Sequence, residues 1–369
     1  MLTIQSSTVK KGAFCLAYLL LLTFSMMGHI PGLGGYLNQL TQIAVAILLL
    51  LCIVQNFRLS RRTFICLCVT LIYSIVLIVQ TGFAGMFKLV LLIAASRSID
   101  FKSLLKFDAV CRVVLTAIIF WCCFAGIAPN KIAVYPDGSV RYSWGFQNCN
   151  HLGLAMVILI AELLYIWDMK MTVRRTICVI GILTFSEIFS GSRTAGLAGV
   201  FIIACAFLYT IKRSVWAKPI IKWCSTYNVW IMAGITLVLT VCFERKKSWA
   251  IKIDQLLSAR LTNIEYFHQH FPITLLGNDL TSSGRTLDTL YAYLWFGLGI
   301  IGFFAVCWAI TAIIKIAYAK NAVPFVIIML FFIVYGLSER LWIYVDYNIM
   351  LIAFREMFFH DVFEEGLRC

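Results

Sequence analysis

Apolar runs of about 20 residues follow one another along this chain, starting with residues 12 to 30, and they decide its solvent. An α-helix needs about that length to cross the hydrocarbon core of a bilayer, where every backbone polar group must be satisfied within its own segment. The composition agrees: 62% of 369 residues are hydrophobic, 13% are charged, and no polar block reaches domain size. The chain therefore reads as a single integral membrane domain over residues 1–369, an all-α polytopic fold. Twelve transmembrane helices are expected, centred near residues 20, 48, 72, 90, 118, 160, 182, 202, 234, 298, 330 and 348. The fourth contains Lys88 and the last Asp346. The first run follows Lys10 and Lys11 as a signal peptide would, yet it is long, lacks a clear cleavage site and precedes further spans, so it reads as a retained helix.

A net charge of +14 raises the question of nucleic acid, and its distribution argues against that partner. With both termini in the cytoplasm, every second loop is basic, for example at Arg61 and Arg62, at Arg174 and Arg175, and at Lys315 and Lys320, as the positive-inside rule requires. Two outer segments break the pattern. Residues 129–150 form a first outer loop with Lys131 and Arg141, and residues 244–286 form a long one with six Lys or Arg. Such cations fit either loops long enough to be exempt from the rule or an anionic ligand at the outer boundary. His29, His151, His268 and His270 fall on the same side.

Fourteen cysteines suggest a framework until they are placed. Most sit inside spans as small apolar residues and no C-x-x-C occurs, so neither a disulfide set nor a thiolate metal site is supported. His268 and His270, two apart, do not share a helical face and make a poor metal pair. Over residues 249–270 apolar side chains recur at helical spacing, which predicts an amphipathic surface helix ended by Pro272. On it Arg260, Asn263, Phe267 and His270 step by 3, 4 and 3 along one ridge.

Arg193, in "FSGSRTAG", stands between two runs long enough to lie in a membrane, where a guanidinium at mid-helix costs roughly 2.5 to 3.5 kcal/mol. Lys88, Arg112, Glu162, Glu187 and Asp346 are further intramembrane charges, expected to pair within the bundle or to snorkel. Glu187 lies one to two helical turns before Arg193, close enough to orient it.

Four separated stretches carry a resemblance. "RYSWGFQNCNHLG" (141–153), "SGSRTAG" (190–196), "LLSARLTNIEYFHQHFPITLLGN" (256–278) and "TLDTLYAYLWFGLGIIG" (286–302) resemble, in order, spacing and topology, segments of bacterial Wzy-type O-antigen and capsular polysaccharide polymerases. Cys149 stands where that pattern usually has Pro, and Thr289 where it has Asn. The first 130 residues are similar only in hydropathy.

The resemblance implies a GT-C-like glycosyltransferase in the bacterial cytoplasmic (inner) membrane, using no cofactor. It would polymerise undecaprenyl-diphosphate-linked repeat units at the outer face, alongside membrane lipid, a flippase and a chain-length regulator. An O-antigen ligase or other lipid-linked glycosyltransferase is the alternative, then a lipid-linked oligosaccharide flippase; a flippase would show repeat halves, and no motif recurs here. The leaving diphosphate calls for fixed cations, and arginine suits phosphate oxygens through its planar fork, so Arg193, Arg260, Arg141 and Arg285 are the diphosphate-binding candidates. Asp288 is the first candidate for the base at the acceptor hydroxyl, followed by His270 and His268. With no D-x-D and no acidic cluster on the outer side, the expected site is metal-independent.

Overall fold

The computed structural model describes residues 2–55, 59–97, 99–134, 140–345 and 347–363; Asp346 lies outside them. Long stretches rich in Leu, Ile and Ala, with few Pro or Gly, favour helix throughout. In chain order the helices are α1 (Leu2–Met27), α2 (Gly34–Gln55), α3 (Arg61–Thr81), α4 (Gly85–Ala95), α5 (Phe101–Phe124), α6 (Cys149–Ile166), α7 (Val173–Ser190), α8 (Arg193–Ile211), α9 (Pro219–Glu244), α10 (Ser248–Leu256), α11 (Arg260–His270), α12 (Leu290–Phe296), α13 (Gly299–Ala319), α14 (Val323–Tyr335) and α15 (Glu356–Phe359). Between α5 and α6 a small antiparallel pair, β1 (Ile132–Val134) and β2 (Val140–Tyr142), sets Ala133 opposite Arg141. Among the described residues, eight helices are long and apolar enough to cross a membrane: α1, α2, α3, α5, α6, α8, α9 and α13. This is a multi-pass helical architecture.

The remaining expected spans depart from that pattern for local reasons. α7 includes Arg174, Arg175 and Glu187 in its 18 residues. α4 and α14 have 11 and 13 residues, about 17 and 20 Å at ~1.5 Å per residue, short of a ~30 Å hydrocarbon core. Both are enclosed instead: all of Val90–Ala95 is buried in α4, and nine of the 13 residues of α14. Near residue 348 the described residues form no long helix. The chain makes two 3-10 segments, Leu341–Ile343 and Ile349–Arg355, buried by neighbours that include α4 and α5. Irregular backbone is tolerated at such depth when protein encloses it.

The expected span near 298 is broken at Gly297 and Leu298, between α12 and α13. The loop after α11 plugs this break: Ile300 N–H donates to Thr274 O at 3.0 Å, Ile301 N–H to Leu275 O at 3.2 Å, and Asn278 N–H to Phe296 O at 2.9 Å. Glycine is required on both sides. Gly277 and Gly299 have φ of +84° and +73°, and a Cβ on either would collide with the backbone of the other segment.

α6 is the axis of the bundle. Fourteen of its 18 residues are buried, among α5, α7, α8 and α14. Inside this core lies an ionic cluster at 0% exposure: Arg112 Nη2 donates to Asp108 Oδ2 at 2.6 Å and stands 3.7 Å from Glu162 Oε1, while the Tyr18 hydroxyl donates to Asp108 Oδ1 at 2.7 Å. Arg112 and Glu162 thus pair within the bundle, as expected for intramembrane charges. Asp108, one helical turn before Arg112, completes the set.

Candidate functional site

The predicted helix over 249–270 is two helices. Ser258 and Ala259 take left-handed backbone with φ of 57° and 63°, which stops α10 and redirects the chain. Ala259 has no hydrogen-bonding side chain to cap α11, and Asp254 does it from α10: its carboxylate accepts from Leu261 N–H at 2.6 Å, Thr262 N–H at 3.2 Å and the Thr262 hydroxyl at 2.6 Å. That replaces an N-cap side chain and fixes Arg260 as the first residue of α11. Leu261, Ile264 and Phe267 bury the inner face of α11, which packs on α9. Arg260, Asn263, Phe267 and His270 all lie on α11, and along that row burial ends at Phe267: Arg260 and Phe267 are buried, whereas His270, the last residue of the helix, is exposed.

Arg260 reaches two carboxylates. One Nη pairs with Asp288 Oδ2 and the other with Glu339 Oε1 at 2.9 Å; the three side chains are 8%, 23% and 13% exposed. Asp288 and Glu339 meet because α12 is stitched to the end of α14. Leu290 N–H donates to Gly336 O at 2.9 Å, and the buried Tyr291 hydroxyl donates to Ile333 O at 2.7 Å. Two acids far apart in sequence thus share one arginine. Burial pushes the Glu339 carboxyl up to about 7, with Arg260 opposing the rise and Asp288 adding to it. A carboxyl in that range is suited to proton exchange near neutrality.

Other elements converge on this cluster. Tyr335, last residue of α14, lies in the field of Glu339 and Arg260 and beside Thr194 in the first turn of α8, on which α14 packs. That places Arg193, exposed at the start of α8, on the same side of the protein. Arg141, 7% exposed on β2, runs its stem against Gly191, the left-handed cap of α7, and is the charge partner of Glu187. Arg141 lies in the field of Glu187, whose carboxylate also reaches the first turn of α8 at Gly196.

Three residues absent from the candidate set complete the neighbourhood. They are Glu339, Arg340 and His151. Arg340 lies over the rings of Tyr293 and Tyr344, at 4.9 and 5.2 Å, and both Asp288 and Arg340 act on His151. His29 Nε2 lies 2.8 Å from Gly145 O, and burial lowers its pKa. The only signal in the sequence for Glu339 and Arg340 was a charged pair following an apolar run.

Arg285, His270 and His268 are engaged elsewhere. The Arg285 guanidinium sits 4.0 Å from the Tyr266 ring centroid, and Tyr266 stacks at 4.1 Å on His270, whose Nδ1 is 2.8 Å from Tyr266 O. His268 Nδ1 pairs with Glu244 Oε1 at 2.6 Å. Among the described residues no group of three or more His, Cys, Asp or Glu is arranged to hold a metal ion. The site is thus a partly open cluster of one arginine and two carboxylates, with Arg340 in its field. It can exchange a proton near neutrality. No protein-family model, curated protein or solved structure matches this chain.

Proposed function

We propose that this chain polymerises undecaprenyl-diphosphate-linked oligosaccharide repeats into surface polysaccharide. The observation that carries the reading is convergence: Arg260 and Asp288, from two of the four family-like stretches, are in contact, and α8, which opens with Arg193 from a third, joins them through Thr194 and Tyr335. In this reading both termini are cytoplasmic, residues 129–150 and 244–286 face outward, and the eight long helices with α4, α7 and α14 form a GT-C-like bundle.

The chemistry follows from the groups present. The acceptor hydroxyl oxygen forms a bond to the anomeric carbon of the donor glycan as the bond from that carbon to the diphosphate oxygen breaks. The hydroxyl proton passes to Asp288, and the diphosphate leaves with the bonding electron pair. Both Nη groups of Arg260 are taken by carboxylates, so Arg260 holds Asp288 in place. Arg193 meets the growing negative charge on the diphosphate, with Arg141 beside it, an electrostatic contribution of the kind that usually dominates catalysis. Asp288 takes the proton in preference to His268 and His270, which are turned to Glu244 and to the backbone of Tyr266.

Deleting the gene and separating the surface glycan on a gel tests the proposal. A product capped by a single repeat is expected. Full-length chains left on the lipid carrier would indicate a ligase instead, and absence of lipid-linked units outside would indicate a flippase.

A further inference from the structure

The half of α3 that begins at Arg61 stands off from the bundle. Leu67 is the only buried residue among 61–71, whereas the second half buries Ser74, Leu77 and Thr81. The gap between this half, α2 and α4 is a cavity of about 660 Å³. Leu49 and Cys52 of α2, Phe64, Cys68 and Leu71 of α3 and Leu91 of α4 line it, and Arg61 is its one charged lining residue among the described ones. Arg62 follows directly on the exposed end.

The dimensions identify the occupant. From Arg61 to Leu71 the helix rises about 15 Å, half of a ~30 Å hydrocarbon core, so the groove is one leaflet deep. It is cationic where a headgroup lies and apolar where a chain lies. A helix of a second protein crossing the bilayer would match only half its own length to such a groove. A flexible chain fills it, and restores the dispersion contacts that the lining of an empty void forfeits.

We propose that this groove binds one anionic phospholipid, its acyl chain lying between α2, α3 and α4 and its phosphate held by Arg61 and Arg62. A guanidinium fork takes phosphate oxygens in bidentate fashion and is weakly hydrated, which suits the interface. Basic pockets between membrane helices recognise anionic headgroups on this principle. The site is separate from the candidate active site. Phe83, just beyond the far end of α3, packs at 5.7 and 6.3 Å on the Tyr293 and Tyr344 rings beneath Arg340, and about 31 Å of helix separates that end from Arg61. The inference therefore stands independently of the proposed polymerase activity.

Native mass spectrometry of the full-length protein in neutral detergent tests it, with phosphatidylglycerol or phosphatidylcholine of identical chains added in turn. One phosphatidylglycerol per chain is expected to be retained in preference to phosphatidylcholine. Arg61→Gln, at an exposed position that cannot disturb packing, should weaken phosphatidylglycerol retention on the order of fivefold, the effect of one basic residue at an anionic surface. Cys68→Trp should fill the groove and abolish retention of both lipids, with an unchanged melting temperature as its control. Equal retention of the two lipids, or phosphatidylglycerol retention untouched by both variants, overturns the proposal. So does a lipid-free dimer that Cys68→Trp dissociates, which would make the groove a contact between two copies.

Discussion

Inside the bundle and again at the helix ends, one arginine stands between two carboxylates, and the two clusters have different fates. Within the bundle, Arg112 holds Asp108 and Glu162 at 0% exposure. At the helix ends, Arg260 holds Asp288 and Glu339 with 8%, 23% and 13% of the side chains exposed. The first is assembled from two adjacent helices, α5 and α6, and half of it is a single-turn spacing on α5. The second joins three segments far apart in sequence, through a helix start, a loop before α12 and a loop after α14. Arg112 also donates from Nη2 to Tyr347 O at 2.9 Å, and the Tyr347 hydroxyl donates to His151 O at 3.0 Å. The sealed cluster thereby braces the backbone beside the open one. Residue type does not distinguish their roles; access does.

The largest expected effect breaks that division or keeps it. Asp288→Asn should lower polymer formation per folded molecule by roughly two to four orders of magnitude, the scale of a lost general base, while donor binding stays nearly intact. Asp108→Asn, its counterpart in the sealed cluster, should leave turnover per folded molecule unchanged. The assay is purified protein acting on lipid-linked repeat units; an equal loss in both variants would show that access does not separate the clusters.

Stability reverses the order. Arg112→Met strands two carboxylates in the core and should cost about 3 to 5 kcal/mol, seen as a lowered melting temperature or absence of a monodisperse peak in detergent. Arg260→Met leaves carboxylates that water can reach, so a cost of about 1 to 3 kcal/mol is expected. Finding Arg260→Met the more damaging of the two would assign the structural role to the open cluster. A smaller effect concerns the cation proposed to meet the diphosphate. Arg193→Lys keeps the charge and loses the fork, and should reduce polymer roughly tenfold at normal protein level, about the ~1.5 kcal/mol of one charge-assisted hydrogen bond. Full activity in that variant would leave Arg193 as a membrane-interface anchor.

How much of this was legible in the sequence follows from how local each feature is. The long helices are local, because apolar run length alone meets the bilayer requirement. Arg260 and Asp288 were readable as members of spaced motifs, and Arg112 and Glu162 as charges needing partners. Glu339 was not. Its approach to Arg260 depends on the Leu290 N–H bond to Gly336 O, a tertiary contact with no periodic signature. The break at Ser258 and Ala259 was equally hidden, since apolar periodicity runs through it and the cap comes from Asp254 on the preceding helix. The segment near 348 was read as a span because its residues are apolar. They are apolar because α4, α5 and other protein neighbours enclose them.

The finest test lies in the pH dependence of the open cluster. Burial raises the Glu339 carboxyl to about 7, so the folded protein binds a proton there that the unfolded chain gives up near its ordinary ~4.3. Stability from this group therefore falls as pH rises from about 4.5 through 7, the opposite of a depressed carboxylate. Function should move the same way. Below pH 7 the set of Arg260, Asp288 and protonated Glu339 is neutral, and above it the set carries one negative charge, which repels a diphosphate. One unit charge at ~7 Å in a water-like dielectric is worth ~0.6 kcal/mol, so KM for the lipid-linked donor should rise roughly threefold across pH 7. Glu339→Gln should abolish the rise while sparing kcat measured above pH 7, because Asp288 remains the base. A KM profile unchanged by Glu339→Gln would place the titrating group elsewhere, and a collapse of kcat in that variant would move the base from Asp288 to Glu339.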